Sequence, residues 1–457
     1  MNQNSFADAV ETSRVMYRVP GISAAVVTGG ETIVHASGVT NVATGAPLTP
    51  STLMHIGSIT KIFNATLVMQ LVDEHIIRLE RPVIEYLPDL KLGDRSALEA
   101  ITVEQLINHT SGIDANLLPD AGHDQETIEK TVQRFGSAGQ VHAPGAARSY
   151  CNAGTVIAGY LCQRLTGRSW YDLIKERIFA PLEMEHAVVL PEDALLHRWS
   201  VGHFVNSSTG EVARTTQAFL PLGYSPAGST AMMSAADLLL FIRAHLNGGT
   251  AKSGKRILSA ENTARMRAPS GNLTGISCFD GGLGWMFITP ELVHHGGGGP
   301  GILSWFIADP ATKSIAVMLT NSENGFSAIN DVIGSFAKAQ FGCTPFPELT
   351  PQENATIDEP ARYVGEYENN TTVHAITSDG RNLFWSARAS AQYADASSLE
   401  GVAPIPLFAA GNEWFIGDIP GAQPDLAPRI TIRFARDNSD RMNYLIHSYR
   451  MHRLQTS

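Results

Sequence analysis

A mixed α/β domain built on an antiparallel sheet, followed by an all-β antiparallel barrel, is the architecture that this 457-residue sequence predicts. Three observations carry it. Period-two apolar patterning brackets a long helical stretch within residues 1–343. A proline-rich break follows at 344–357. Short strand-like segments then recur through 358–457.

In chain order, Ile22 to Val27 and Glu31 to His35 read as two strands around the hairpin signal Gly29-Gly30, so a sheet starts the fold. From Ser58, apolar residues at Ile59, Ile62, Phe63, Leu67 and Leu71 keep the i, i+3, i+4 rhythm of a helix laid against a core. Val103 to Ile107, Gly154 to Leu165, Trp170 to Ile178 and Ala235 to Leu246 continue the helical zone. Leu283 to Ile288, Leu303 to Ala308 and Ser314 to Leu319 return to period two, linked by compact turns such as Asp309-Pro310, and a helix from about Ala328 to Phe341 closes the unit. Pro345, Pro347 and Pro351 mark a linker, because proline continues neither element. Beyond it, Gly365 to Tyr367, Val373 to Ile376, Asn382 to Ser386, Trp414 to Ile416, Arg429 to Phe434 and Tyr444 to Ile446 predict the barrel. No repeat of solenoid length recurs.

Composition restricts function. A formal charge of -11, without a Lys/Arg-rich run, argues against a nucleic-acid partner, which needs clustered positive charge. No stretch approaches the length of a membrane span, and Met1 to Asp8 lacks both a basic and an apolar signal region, so the chain as given is expected in the cytoplasm unless a leader was trimmed. Cys151, Cys162, Cys278 and Cys343 stand far apart and read as reduced, buried thiols.

The chemistry begins at Ser58 and Lys61. Three positions apart on one helical face, hydroxyl and amine can meet, and an amine whose pKa burial has lowered can take the serine proton. Backbone N–H groups of the helix's first turn point toward any oxyanion formed there. A second copy of the spacing, Ser335 and Lys338, lies on an ordinary amphipathic helix. Tyr150 and Asn152 sit two apart in a loop before a helix, a pattern repeated by Tyr367 and Asn369 in the β-rich piece. Third comes His294-His295-Gly296-Gly297-Gly298-Gly299-Pro300-Gly301. Four consecutive glycines weaken a strand but admit a substrate backbone, and a flexible hairpin loop is the alternative. The run is not a dinucleotide fingerprint, since a strand follows it, and adjacent histidines on a strand face opposite sides, so no metal or cofactor is expected.

Together these pieces resemble the penicillin-recognising serine hydrolases. Ser58-Ile59-Thr60-Lys61, Tyr150-Cys151-Asn152 and His295-Gly296-Gly297 look like that superfamily's Ser-x-x-Lys, Tyr-x-Asn and Lys/His-x-Gly motifs, in order and at similar intervals. The likeness is strongest to the class C β-lactamase-like branch, which includes family VIII carboxylesterases, D-stereospecific aminopeptidases and D-alanyl-D-alanine carboxypeptidases. It covers about residues 10 to 342. Asn108 to Gly112 and Pro300-Gly301 agree, the latter at the expected distance from His295 and not from His294. The resemblance implies an antiparallel sheet with helices on both faces, a helical subdomain on one side and the active site between. It also implies roles. Ser58 attacks a carbonyl carbon, Lys61 and Tyr150 share its proton, the backbone N–H groups of Ser58 and Gly298 form the oxyanion hole, and Asn152 orients the substrate amide. Lys61 and His295 are expected to pull the Tyr150 hydroxyl below its ordinary pKa near 10. Histidine where true class C β-lactamases carry lysine moves the expectation toward esterase, peptidase or transacylase activity.

The C-terminal piece resembles the lipocalin-like barrel of several members, including D-stereospecific peptidases and the penicillin-binding-protein-type thioesterases that cyclise nonribosomal peptides. Three functions are compatible: a serine hydrolase of esters or peptide-like amides, an acyltransferase or peptide cyclase using the same acyl-enzyme, and a non-catalytic binding protein on this fold. The expected partner is a small-molecule or peptide substrate, with a homo-oligomer compatible. For the barrel, walling off the active-site mouth, restricting substrate size, mediating dimerisation and simple capping all remain open.

Overall fold

The computed structural model describes residues 2–455 except 116–119, 125, 207–208, 272–275, 347–348, 353–355, 391–402, 420–428 and 437–441. Parts of the expected linker, at 347–348 and 353–355, thus lie outside the described residues.

A seven-stranded antiparallel sheet organises the first unit. It is built from β1 (Gly21–Thr28), β2 (Glu31–Asn41), β3 (Ala46–Pro47), β4 (Met286–Thr289), β5 (Leu292–Gly299), β6 (Ile302–Asp309) and β7 (Ser314–Thr320). Their spatial order is β4-β5-β6-β7-β1-β2-β3, so strands from both ends of the unit meet where β1 pairs with β7, Ala24 opposite Met318. Both faces of β1 are covered. Ile22, Ala24 and Val26 join one apolar core with Ile329 and Phe336, while Ala25 and Val27 join the other. Helix α1 (Gln3–Met16) and α5 (Gly325–Phe341) lie over the first face, and α4 (Ala235–Leu246) over the second.

Helix α2 (Thr60–Asp73) departs from the expected one-sided packing: every residue from Thr60 to Leu71 is buried. It runs through the middle of the helical region beside α3 (Asn152–Thr166), and a helix enclosed all round must satisfy its polar side chains internally. Asn64 does so, accepting from Trp170 Nε1 at 2.8 Å and donating to Thr155 O at 3.0 Å.

The second unit is a closed antiparallel barrel of eight strands: β8 (Gly365–Glu368), β9 (Thr372–Ser378), β10 (Leu383–Ala389), β11 (Ile405–Gly411), β12 (Trp414–Gly417), β13 (Ile430–Ala435), β14 (Tyr444–His447) and β15 (Arg450–Leu454). Sequence periodicity marks six of these. It misses β11, which carries Pro406 and two alanines, and β15, whose Arg450 and His452 are too polar for a core strand. The barrel packs on the first unit, with Ile446 and Met451 against Val141 and Ala147. Two backbone contacts reinforce this, as Asn370 N–H donates to the Asp114 carboxylate and Arg433 to Ser277 O. Among the described residues no helix is long and apolar enough to cross a membrane. The four cysteines are free thiols, Cys151 and Cys162 buried and the other two half-buried.

Candidate active site

Ser58 lies in a single 3-10 turn, Gly57–Ile59, that leads directly into α2. Gly57 takes φ +52°, and a Cβ there would stand 2.7 Å from Gly298 N. Glycine at this one position therefore lets the Ser58 turn close against the glycine run of β5, which brings the two expected oxyanion-hole residues together. The glycines do not form a flexible loop. They are the strand itself, Gly297 opposite Ser304 and Gly298 opposite Leu303 on β6. A Cβ on Gly297 would fall 2.0 Å from Ile56 O. On its other side β5 is paired by β4 through Leu292 to His294, and beyond that Gly296 to Gly298 border a cavity of about 590 Å3.

Ser58, Tyr150, Asn152, His295, Gly297 and Gly298 all line that cavity, and Lys61 supports it from below. Lys61 Nζ is 3.1 Å from Ser58 Oγ and donates to Ala227 O at 2.6 Å. The side chain is 2% exposed, and burial holds its pKa well below the ordinary lysine value, with the Arg450 charge adding to the effect. This environment favours the neutral amine, which can give an N–H to Ala227 O and offer its lone pair to the serine proton.

Tyr150 is carried just ahead of α3, whose first helical residue is Asn152 and whose N-cap, Cys151, accepts Gly154 N–H on Sγ. The imidazole of His109 stacks on the Tyr150 ring at 4.4 Å and accepts Cys151 N–H on Nδ1 at 3.1 Å, which fixes the loop. The expected depression of the tyrosine pKa is reversed. Burial pushes Tyr150 up to about 12, outweighing the contributions of Ser58 and Arg450 that favour the phenolate. The same burial removes one of the cations expected to help. His295 is 2% exposed and held down to about 3, its Nδ1–H bound to Gly296 O at 2.6 Å and its Nε2 left without a partner. Burial therefore disfavours the charged form of Lys61, His295 and Tyr150 alike.

His294 and His295 do face opposite sides of the sheet: His294 stacks on Trp305 at 4.7 Å, and His295 is 6.4 Å from the Tyr150 ring. The repeated motifs stand elsewhere. Ser335 and Lys338 are exposed on α5, and the buried Tyr367 hydroxyl donates to Tyr363 O in the barrel.

One contributor escapes sequence reasoning. The turn between β14 and β15 brings Ser448, Tyr449 and Arg450 of the barrel to the cavity wall. Tyr150 N–H donates to Tyr449 O at 3.0 Å, Met451 N–H donates to Ser149 Oγ at 3.0 Å, and the Arg450 guanidinium lies 4.9 Å from the Tyr150 ring centre. No local signal marks this residue, because its position depends on how the barrel docks.

Comparison with known proteins identifies the family. The Beta-lactamase family model matches residues 6–334. Penicillin-binding protein 4 of Amycolatopsis lactamdurans is 32% identical over 78% of this chain and 94% of its own length. A D-aminopeptidase of Brucella canis is 32% identical over 45% of this chain and 38% of its own length. Among solved structures, that of SurE follows both units, covering 99% of each chain with a TM-score of 0.77 at 23% identity, a likeness of fold. The same protein has been solved with D-Leu.

Proposed function

The chain belongs to the beta-lactamase family of serine hydrolases, and we propose that it cleaves ester or peptide-like amide bonds through an acyl-enzyme on Ser58. The observation that carries this reading is the buried Lys61 amine, its pKa lowered by burial, at 3.1 Å from Ser58 Oγ. As Oγ bonds to the carbonyl carbon, its proton passes to Lys61 Nζ and the carbonyl π pair moves onto oxygen. The amides of Ser58 and Gly298 receive that oxyanion. Collapse expels the leaving group, which takes the Tyr150 hydroxyl proton, and Lys61 returns a proton to Tyr150. Water then repeats the sequence in reverse. Asn152 orients the acyl-side amide. His295 presents an uncharged acceptor, Nε2, to substrate or to Tyr150.

Leu220, Met286, Leu303, Trp305 and Phe326 make much of the cavity wall apolar, which supports an apolar acyl or leaving group. The D-aminopeptidase relative and the D-Leu complex support preference for D-residues. The barrel turn adds Ser448, Tyr449 and Arg450 to the cavity wall beside Tyr150, which supports a second outcome, capture of the acyl group by an amine bound there in acyl transfer or cyclisation. A peptidyl thioester releasing linear acid alone rejects that second outcome.

Intact-mass measurement after treatment with a fluorophosphonate tests the acyl-enzyme. A single adduct on Ser58, lost in Ser58→Ala, is expected, and labelling that persists in Ser58→Ala sinks the proposal. Esters of D- and L-leucine then read the stereochemical preference.

A further inference from the structure

We infer that Arg450, reaching in from the barrel, is the fixed positive charge of this active site, and that it acts through Lys61 and Tyr150 as a positioning residue. The inference rests on the acyl-enzyme reading above and gives the second unit a part in its chemistry.

Geometry comes first. Lys61 Nζ and the Arg450 guanidinium lie 4.8 and 4.9 Å from the centre of the same Tyr150 ring. The turn that carries Arg450 is held at both ends by the catalytic loop, through Tyr449 O to Tyr150 N–H and Met451 N–H to Ser149 Oγ. Ser448 and Tyr449 both adopt left-handed backbone conformations, φ 49° and 64°, the tight two-residue hairpin turn that leads directly into Arg450.

Charge comes second. No carboxylate among the described residues pairs with Arg450. Its Nε is enclosed without a hydrogen-bond partner, and one terminal nitrogen donates weakly to Ser448 O at 3.3 Å. The groups facing it from neighbouring elements cannot offset or replace its charge. Burial lowers the pKa of His447 and His452 in the barrel, the latter to about 3, and that of His109 as well, disfavouring a charge on each. Burial keeps the thiols of Cys151 and Cys278 protonated, and Tyr449 is pushed up in the same way. Arg148 and Arg433 are engaged with backbone carbonyls. A guanidinium stays protonated where an ammonium yields, so of two basic groups around one ring, Lys61 is the one that gives up its proton. Arg450 thus keeps the Lys61 amine ready to accept the Ser58 proton, and the same charge favours proton loss from Tyr150 toward the leaving group.

The test follows the pH dependence of Ser58 labelling by a fluorophosphonate, together with kcat/KM for an uncharged p-nitrophenyl ester, in the full chain. Removing a like charge lets Lys61 hold its proton more tightly. Arg450→Gln should therefore move the acidic limb of both profiles to higher pH by about one unit or more, and Arg450→Lys, whose ammonium burial can neutralise, should restore it at most in part. Arg450→Met, which retains the aliphatic stem, is read in the same way if Arg450→Gln fails to fold by circular dichroism. An acidic limb that stays in place in a folded charge-removing variant overturns the inference. That includes the case in which only KM for carboxylate-bearing esters rises, which would make Arg450 a substrate anchor. Absence of Ser58 labelling in the unmodified protein would instead sink the acyl-enzyme reading, so the two failures are distinguishable.

Discussion

The two walls of the cavity are built on opposite principles. On one side, Ser58 and Lys61 are neighbours in sequence, fixed by a 3-10 turn and a helix enclosed all round, and their chemistry comes from the absence of charge. On the other, Arg450 arrives on a barrel turn and brings a charge that burial opposes but does not remove. The difference shows how one tyrosine can serve between two basic groups. The environment can neutralise an ammonium, whereas a guanidinium persists, so the residue type decides which one becomes the proton acceptor.

Substitutions that strike one wall or the other can break this contrast. The largest effect is expected on the local wall. Lys61→Met keeps the packed stem but removes the acceptor, and should lower the rate of Ser58 acylation about a thousandfold, measured by stopped-flow labelling. A loss of less than tenfold would assign the proton to another group. Next, Gly57→Ala puts a Cβ against Gly298 N in a left-handed backbone, spreading the oxyanion hole. Acylation should fall about ten- to a hundredfold and the melting temperature should fall with it, and an unchanged rate would remove Gly298 from the mechanism.

The smallest effect is expected where the second wall is anchored. Burial raises the Asp114 carboxyl to about 6 although it accepts Asn370 N–H. Because the folded pKa lies above the unfolded one, the carboxyl favours the folded state at low pH, and that contribution is lost as pH rises through about 6. Asp114→Asn should therefore flatten the fall in melting temperature between pH 5 and 8, by the equivalent of about 1–2 kcal/mol. A parallel fall in both proteins would show that docking does not depend on this group.

The local wall was legible in the sequence because its spacing is local. A helical period fixes Ser58 and Lys61 on one face, and Tyr150 and His295 were found by their order along the chain. What escaped was environment and docking. The rhythm around Lys61 suggested one apolar face, but the polar residues between find partners inside, Asn64 through both ends of its amide and Gln70 by donating to Ile257 O, and the helix is enclosed. The Tyr150 pKa was expected to fall because Lys61 and His295 stand near. Proximity is readable from motifs, whereas desolvation, which neutralises both, depends on the whole fold. Arg450 lies on a strand with no apolar alternation, and nothing nearby in sequence indicates that it meets Tyr150.

The hydrogen bond from Tyr150 N–H to Tyr449 O has a consequence for how the protein comes into being. Ser58, Lys61, Tyr150 and His295 all leave the ribosome long before the hairpin that completes their surroundings. Until that hairpin closes, the catalytic loop lacks its backbone partner and the cavity lacks one wall. Competence therefore arrives only with a hairpin made after all of these residues, and a chain interrupted ahead of it would carry every motif of a hydrolase while lacking the finished site.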